Sequence, residues 1–425
     1  MQSDEAICGC MLALDPHARN PVKWPVLTVI TVCLIVALTV SLASAQELQP
    51  ASRVAVIEQE QKAKEATLRP YQSTAGERIA KKVQDLTMDG GRHWHTFLDP
   101  AISGSGLTLG AGYERHVSAF NRVDVRGNYS LNGSARVEAE FIAPQLFKRR
   151  GRLSLLGGWR KATEVDFYGT GITSSERNET AFSFEQPHVG ALLTVRPARK
   201  LLALGGGVEW SRWALGSRKA GDAPALDVRY TAAQLRGLGA TVGYLHTQAT
   251  VALDYRTSPG YSRRGGYLAV TGHDYTDSDK EFGFRQLDYE VTQHLPILRE
   301  AWVISLHGLA TTTHGKSGEQ IPFFMLPSLG GGSNLRGYGA LRFRDRNSLL
   351  LQAEWRIMAN RYMDTAVFYD AGTVAARTSD LDFSGMRHDA GVGFRFHAPF
   401  STVLRLDLAK SREGLSLVIA SSAVF

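Results

Sequence analysis

The sequence predicts an all-β fold: a transmembrane antiparallel β-barrel of about 16 strands, preceded by a short N-terminal helical arm. Three observations carry this expectation. From about Trp94 onward, runs of roughly ten residues alternate in polarity, which is the length of a tilted membrane crossing. The polar side of those runs bears full charges with glycines between them, as a wet lumen does. The chain also opens on an export-type leader and closes on an aromatic residue, Phe425.

Composition agrees with this reading. The 425 residues are 44% hydrophobic and 21% charged with a mean hydropathy of −0.16, so neither a disordered chain nor a bundle of spanning helices fits. Glycine is in excess, with 42 residues where ordinary usage of ~7% would give fewer.

The leader comes first. Val26 to Leu42 is an uncharged apolar run preceded by Arg19 and Lys23 and followed by Ala43-Ser44-Ala45, the layout of a signal peptide cleaved before Gln46. Its n-region is long, which allows a start at Met11; a retained membrane helix is the competing reading. Val32 stands before Cys33 where a lipoprotein signal needs a small residue. Cys8, Cys10 and Cys33 all fall in this leader, so the mature chain is expected to be free of disulfides. Residues 1–45 are thus a signal peptide, 46–92 a short polar arm or linker, and 93–425 the barrel. In the arm, Ile79, Val83 and Leu86 fall at helical spacing after Pro70, and Asp89-Gly90-Gly91 closes it. It is either an exposed linker or a segment folded back into the lumen.

The strand pattern is clearest in the C-terminal half. Leu349, Leu351, Ala353, Trp355 and Ile357 share one face of a run whose other face holds Leu350, Gln352, Glu354, Arg356 and Met358. Trp302, Ile304 and Leu306 oppose Val303, Ser305 and His307. Ala390, Val392, Phe394 and Phe396 oppose Asp389, Gly391, Gly393, Arg395 and His397. Leu404, Leu406 and Leu408 oppose Val403, Arg405 and Asp407. Strict period two with one apolar face describes strands lying between an apolar and a polar medium. Gly104-Ser105-Gly106 reads as a turn ahead of the first strand. The last strand is expected to span about 415–425, with Phe425 inside it. At about 20 residues per strand and connection, the region holds roughly sixteen strands.

The most specific stretch is Pro327 to Tyr338, PSLGGGSNLRGY. Gly330, Gly331 and Gly332 open φ > 0 conformations to the backbone, and Arg336 then projects between Leu335 and Gly337-Tyr338. Here the sequence resembles the outer-membrane surface antigen, or BamA/TamA-like, barrel superfamily. Leu335-Arg336-Gly337-Tyr338 looks like that family's Arg-Gly-aromatic motif on a lumen loop. Phe368-Tyr369-Asp370-Ala371-Gly372 resembles its F-x-D-x-G strand, and Glu354 its lumen-facing acid. Asp166 to Gly171 and Arg263-Arg264-Gly265-Gly266-Tyr267 look like two further motifs in the right order. The resemblance covers about residues 95–425. A semi-buried guanidinium needs carboxylate partners, so Arg336 is expected to be latched by Glu354 and Asp370.

The resemblance implies protein assembly or translocation at the outer membrane, through a weak lateral seam between first and last strands. The 46–92 segment is too short for the periplasmic POTRA domains such proteins usually carry, so a POTRA-less member is expected. The alternative is a passive pore or surface scaffold, or an exit barrel for one exported partner, with Arg356, Arg395 and Arg405 giving the lumen an anion preference. An outer-membrane hydrolase is the third class considered, and no nucleophile elbow or metalloprotease motif supports it. Expected partners are outer-membrane lipid and lipopolysaccharide, with client or accessory outer-membrane proteins. No nucleic acid, catalytic residue, metal or cofactor is expected, and the barrel is expected to be monomeric. The basic surplus is assigned to lumen arginines and anionic lipid.

Overall fold

The computed structural model describes residues 93–425 apart from 198–200, 219, 220, 222, 299, 399, 400, 421, 422 and 424, together with residue 78. The expected leader, the polar arm apart from Arg78, and the three cysteines lie outside the described residues.

Sixteen strands form one antiparallel sheet in sequence order. They are β1 (Trp94–Thr96), β2 (Thr108–His116), β3 (Arg122–Ser130), β4 (Ala135–Gln145), β5 (Gly151–Phe167), β6 (Thr180–Val195), β7 (Leu202–Ser217), β8 (Thr241–Asp254), β9 (Gly265–Asp277), β10 (Phe284–Ile297), β11 (Trp302–Gly315), β14 (Asn347–Asn360), β15 (Met363–Ala375), β16 (Arg387–Ala398), β17 (Ser401–Ser411) and β18 (Leu415–Ala420). A separate hairpin, β12 (Ser328–Leu329) with β13 (Phe343–Arg344), sits in the connection between β11 and β14. The expected count and all-β class hold. The two end strands of the order, β1 and β18, are not paired with each other among the described residues.

The alternation read from sequence becomes two faces. In β14, Gln352, Glu354 and Arg356 are buried while Trp355 is exposed; in β16, Asp389, Arg395 and His397 are buried while Val392 and Phe394 are exposed. Charge is therefore inside and hydrocarbon outside, the reverse of a soluble core. β17 departs from the expected faces at one residue. Phe396 pairs with Leu404 but His397 pairs with Thr402, so Val403 is the extra residue of a bulge and does not share a face with Arg405 and Asp407.

Two further expectations are corrected. Gly104-Ser105-Gly106 lies between β1 and β2, because Trp94–Thr96 already pairs with Tyr113–Ala111. Phe425 is not in the last strand, which ends at Ala420. Its ring instead stacks on His307 at 5.0 Å and 8°, with His294 at 6.3 Å. Beyond β18 there is no partner strand among the described residues to hold the tail in the sheet, whereas the lumen-facing imidazoles offer it flat faces.

The two ends differ: one carries the turns 117–121, 146–150, 298–301 and 361–362 with the longer 255–264, and the other carries the long segments 168–179, 218–240, 316–346 and 376–386 beside the short turns 131–134 and 412–414. In outer-membrane barrels the short turns face the periplasm. At the long-loop end, Phe167, Phe182, Phe184, Tyr244 and Phe284 of the walls pack with Leu226 and Leu235 of one loop and Ile321, Phe323 and Phe324 of another. This apolar cluster ties two of the long loops to the strands at that end. At the opposite end, the turn 255–264 crosses to β14–β17: Arg263 donates to Asp364 at 2.7 and 2.9 Å, Tyr261 bonds to the same carboxylate and stacks on His397 at 3.8 Å, and Thr402 donates its N–H to the Gly260 carbonyl at 3.0 Å.

Candidate functional site

The connection 316–346 folds inward, and its tip is shaped by two glycines. Gly330 and Gly331 have φ of 114° and 108°, and a Cβ on Gly330 would sit 2.2 Å from the Gly339 carbonyl. Asn334 Oδ1 accepts from the N–H groups of Gly330 and Leu335 at 2.7 and 2.8 Å, closing the turn. Gly332 has no positive φ, contrary to the expectation for all three glycines. It is small for another reason: a Cβ there would meet Val418 of β18 at 2.6 Å. Gly337 likewise lets the chain approach Asp389, whose Cβ lies 2.6 Å from where its own would stand.

This turn delivers Arg336 to the lumen wall, fully buried. Its Nε and Nη2 donate to the two oxygens of Asp370 at 2.6 and 2.7 Å, the bidentate geometry a planar fork favours. Nη1 donates to Glu354 at 3.0 Å and to Asp407 at 3.4 Å. The guanidinium carbon stands 3.4 Å from the centroid of the Phe368 ring, a cation–π contact. Burial alone would favour losing the Arg336 proton, but the bonds and charge of Asp370, Glu354 and Asp407 outweigh it and hold the guanidinium charged.

Leu335 to Tyr338, Glu354, Phe368, Asp370 and Gly372 meet here; Phe425 does not, and the Arg263–Tyr267 stretch lies at the opposite end of the barrel. Leu335 is buried with Leu329, Phe343, Leu350 and Val374. Tyr338 donates to the His388 carbonyl at 3.3 Å and meets Phe343 edge-on. Gly372 leaves room for Leu329, whose Cδ1 is 2.8 Å from its ideal Cβ. The Asp166–Gly171 stretch closes on the loop root: Gly171 donates its N–H to the Arg344 carbonyl at 2.8 Å, and Arg342 lies over Tyr168 at 4.7 Å.

The sequence reading missed partners that complete the site. Asp407 serves Arg336 and Arg395 together, and Arg395 donates to Glu354 at 2.6 and 3.2 Å. Gln352 donates to Asp370 at 3.2 Å and to the Asn334 carbonyl at 2.9 Å. Arg405 donates to the Gly332 carbonyl at 2.6 Å, and Ser411 to the Gly337 carbonyl at 2.6 Å. Cross-strand parity was the available signal, since Asp407 pairs with Gly393 and Arg405 with Arg395. The three arginines assigned to the lumen under the passive-pore alternative are all engaged by the protein: Arg395 bonds Glu354 and Asp407, Arg405 bonds the Gly332 carbonyl, and Arg356 donates to Ser305 at 3.0 Å and to the Ser262 carbonyl. A second node went unread: Arg126 joins Asp124, Glu138 and Glu140 at 2.9 to 3.0 Å across β3 and β4.

Residues 96–414 match the family model described as the Omp85 superfamily domain. The chain belongs to the Omp85 superfamily. No curated protein matches it in sequence. Among solved structures this Omp85 barrel is similar to BamA from Haemophilus ducreyi lacking POTRA domains 1–3, at 16% identity and a TM-score of 0.55, covering 74% of this chain and 66% of that one. It is similar too to CdiB from Escherichia coli, at 12% identity and a TM-score of 0.52, covering 81% and 69%. At such identities the likeness establishes the Omp85 barrel fold.

Proposed function

We propose that this Omp85 barrel works in protein assembly or translocation at the outer membrane, acting on client proteins through a seam between β1 and β18. The observation that carries the reading is the pair of short end strands, three and six residues long, that lie unpaired with each other among the described residues. Unpaired strand edges offer a row of N–H and C=O groups that an incoming strand can take up. The latched loop sits directly behind that edge, because Gly332 touches Val418 of β18 and is held by Arg405 of β17. Residues 46–92, as a polar arm, leave client capture to the barrel itself; lipid, lipopolysaccharide and client barrels are the expected company of a monomer.

The apolar cluster at one mouth and the crossing turn at the other oppose a wide passive pore. Depletion of the protein, followed by a profile of the outer-membrane proteome, tests the reading. Loss of many barrels supports assembly, and loss of one exported protein supports a dedicated exit route. An unchanged profile, or full rescue by a variant whose β1 and β18 edges are cross-linked through introduced cysteines, refutes the seam.

A further inference from the structure

We infer that the outer wall of β5–β8, with the turn 146–150, forms a binding site for one anionic phospholipid of the periplasm-facing leaflet. This goes beyond client handling and rests on two separate features. The first is the turn joining β4 to β5. Phe147, Lys148 and Arg149 hold φ of 50°, 59° and 68°, three consecutive non-glycine residues in a conformation such residues avoid. The turn thereby presents an aromatic ring, 61% exposed, beside the exposed cations Lys148, Arg149 and Arg150. Gly151 makes the geometry available, since a Cβ there would come within 2.5 Å of the Phe147 ring. Among the described residues Lys148 and Arg149 have no carboxylate partner, and Arg150 donates only to the Pro197 carbonyl at 3.4 Å. An aromatic ring with unpaired cations at the end of a spanning strand suits a membrane interface with phosphate groups.

The second feature is a groove of about 480 Å³ on the lipid-facing side of the same strands, lined by Leu155, Gly157, Val189, Ala191, Val208 and Trp210. Its floor is made by small residues: Gly157 pairs with Val189 and Ala191 with both Leu155 and Val208. Nothing in the protein demands glycine at 157, because an added Cβ would find Val189 no nearer than 3.8 Å. The groove starts at Leu155, four residues up β5 from Gly151. That is about 13 Å of strand and about 10 Å of depth at the usual tilt, within a hydrocarbon leaflet of about 15 Å. A headgroup at Lys148–Arg150 therefore places an acyl chain in the groove. Arg152 and Arg196 take no part: both lie on the lumen side of the pleat, and Arg196 pairs with Asp254 at 3.5 Å.

The test uses the full folded barrel in vesicles of phosphatidylcholine and phosphatidylglycerol, then native mass spectrometry of the protein with its retained lipid. Every variant is first required to keep its heat-modifiable mobility. The wild type is expected to retain one phosphatidylglycerol in preference to phosphatidylcholine. Changing Lys148, Arg149 and Arg150 to Gln should lower that preference on the order of tenfold or more. Gly157→Leu with Ala191→Phe should lower retention of both lipids, and Arg152→Gln should change nothing. No preference in the wild type, or unchanged retention in the groove variant, overturns the site; the second result leaves only non-specific attraction of lipid to a basic turn.

Discussion

Replacing Arg336 by methionine keeps an unbranched stem over Phe368 but removes the charge. Glu354, Asp370 and Asp407 would then face one another with Arg395 and Arg405 paired to them and Arg356 farther off. Breaking a buried ion pair from one side costs about 3–5 kcal/mol, because the remaining charge stays buried. The lumen is polar and water can enter, so the lower end applies, about 3 kcal/mol or roughly 100-fold in the opening equilibrium of the loop. Trypsin reads that equilibrium. Arg342 and Arg344 are nearly fully buried, so cleavage after them requires the loop to open, and in the fast-opening regime the rate tracks the open population. Cleavage after Arg342 and Arg344 should be about 100-fold faster in the variant. A rate within about threefold of the wild type, in a barrel with intact heat-modifiable mobility, refutes the latch.

The same assay ranks other changes. Gly330→Ala should open the loop more than Gly331→Ala, since the first meets a fixed carbonyl at 2.2 Å and the second meets nothing nearer than 3.4 Å. Gly332→Ala should be rescued by Val418→Ala, because Val418 Cγ1 is the group it strikes. Exchanging charges as Arg336→Asp with Asp370→Arg should rescue poorly, because an Asp at 336 still faces Glu354 and Asp407; substantial recovery would mean that Asp370 is the only partner that matters. Asp364→Asn frees Arg263 and Tyr261 of the crossing turn, so channel events in planar bilayers should become more frequent than in the wild type, which is expected to be near-silent; identical traces would show that the turn does not occlude the mouth.

The strand pattern was legible because a barrel wall imposes period two on every residue, and a single face of β14 already displays it. The latch was legible in part. Arg336 stands in a glycine-rich turn that only a fixed loop needs, and Glu354 and Asp370 sit on strands flanking the same hairpin. Asp407 and Arg395 were read as lumen charges yet not as partners, because their meeting depends on the register of β16 against β17 and on the bulge at Val403, which displaces the expected face. Phe425 was misplaced for a related reason. A strand end is fixed by its neighbour across the sheet, and periodicity within one segment says nothing about that neighbour. The left-handed run at Phe147–Arg149 has no composition signal at all, since none of the three is glycine or asparagine.

The connection 316–346 touches both halves of the sheet by different chemistry. Near its start, Ile321, Phe323 and Phe324 are buried with side chains of β5–β10; at its tip, Arg336 and Gly332 are tied to β14–β18. It therefore acts as a tie-rod across the circumference. If the edges at β1 and β18 part, β18 must travel with β14–β17 as one block, because Val418 and Arg405 grip the tip. The compliance must then reside on the other bank, where β1 is joined to β2 by three paired residues among the described residues.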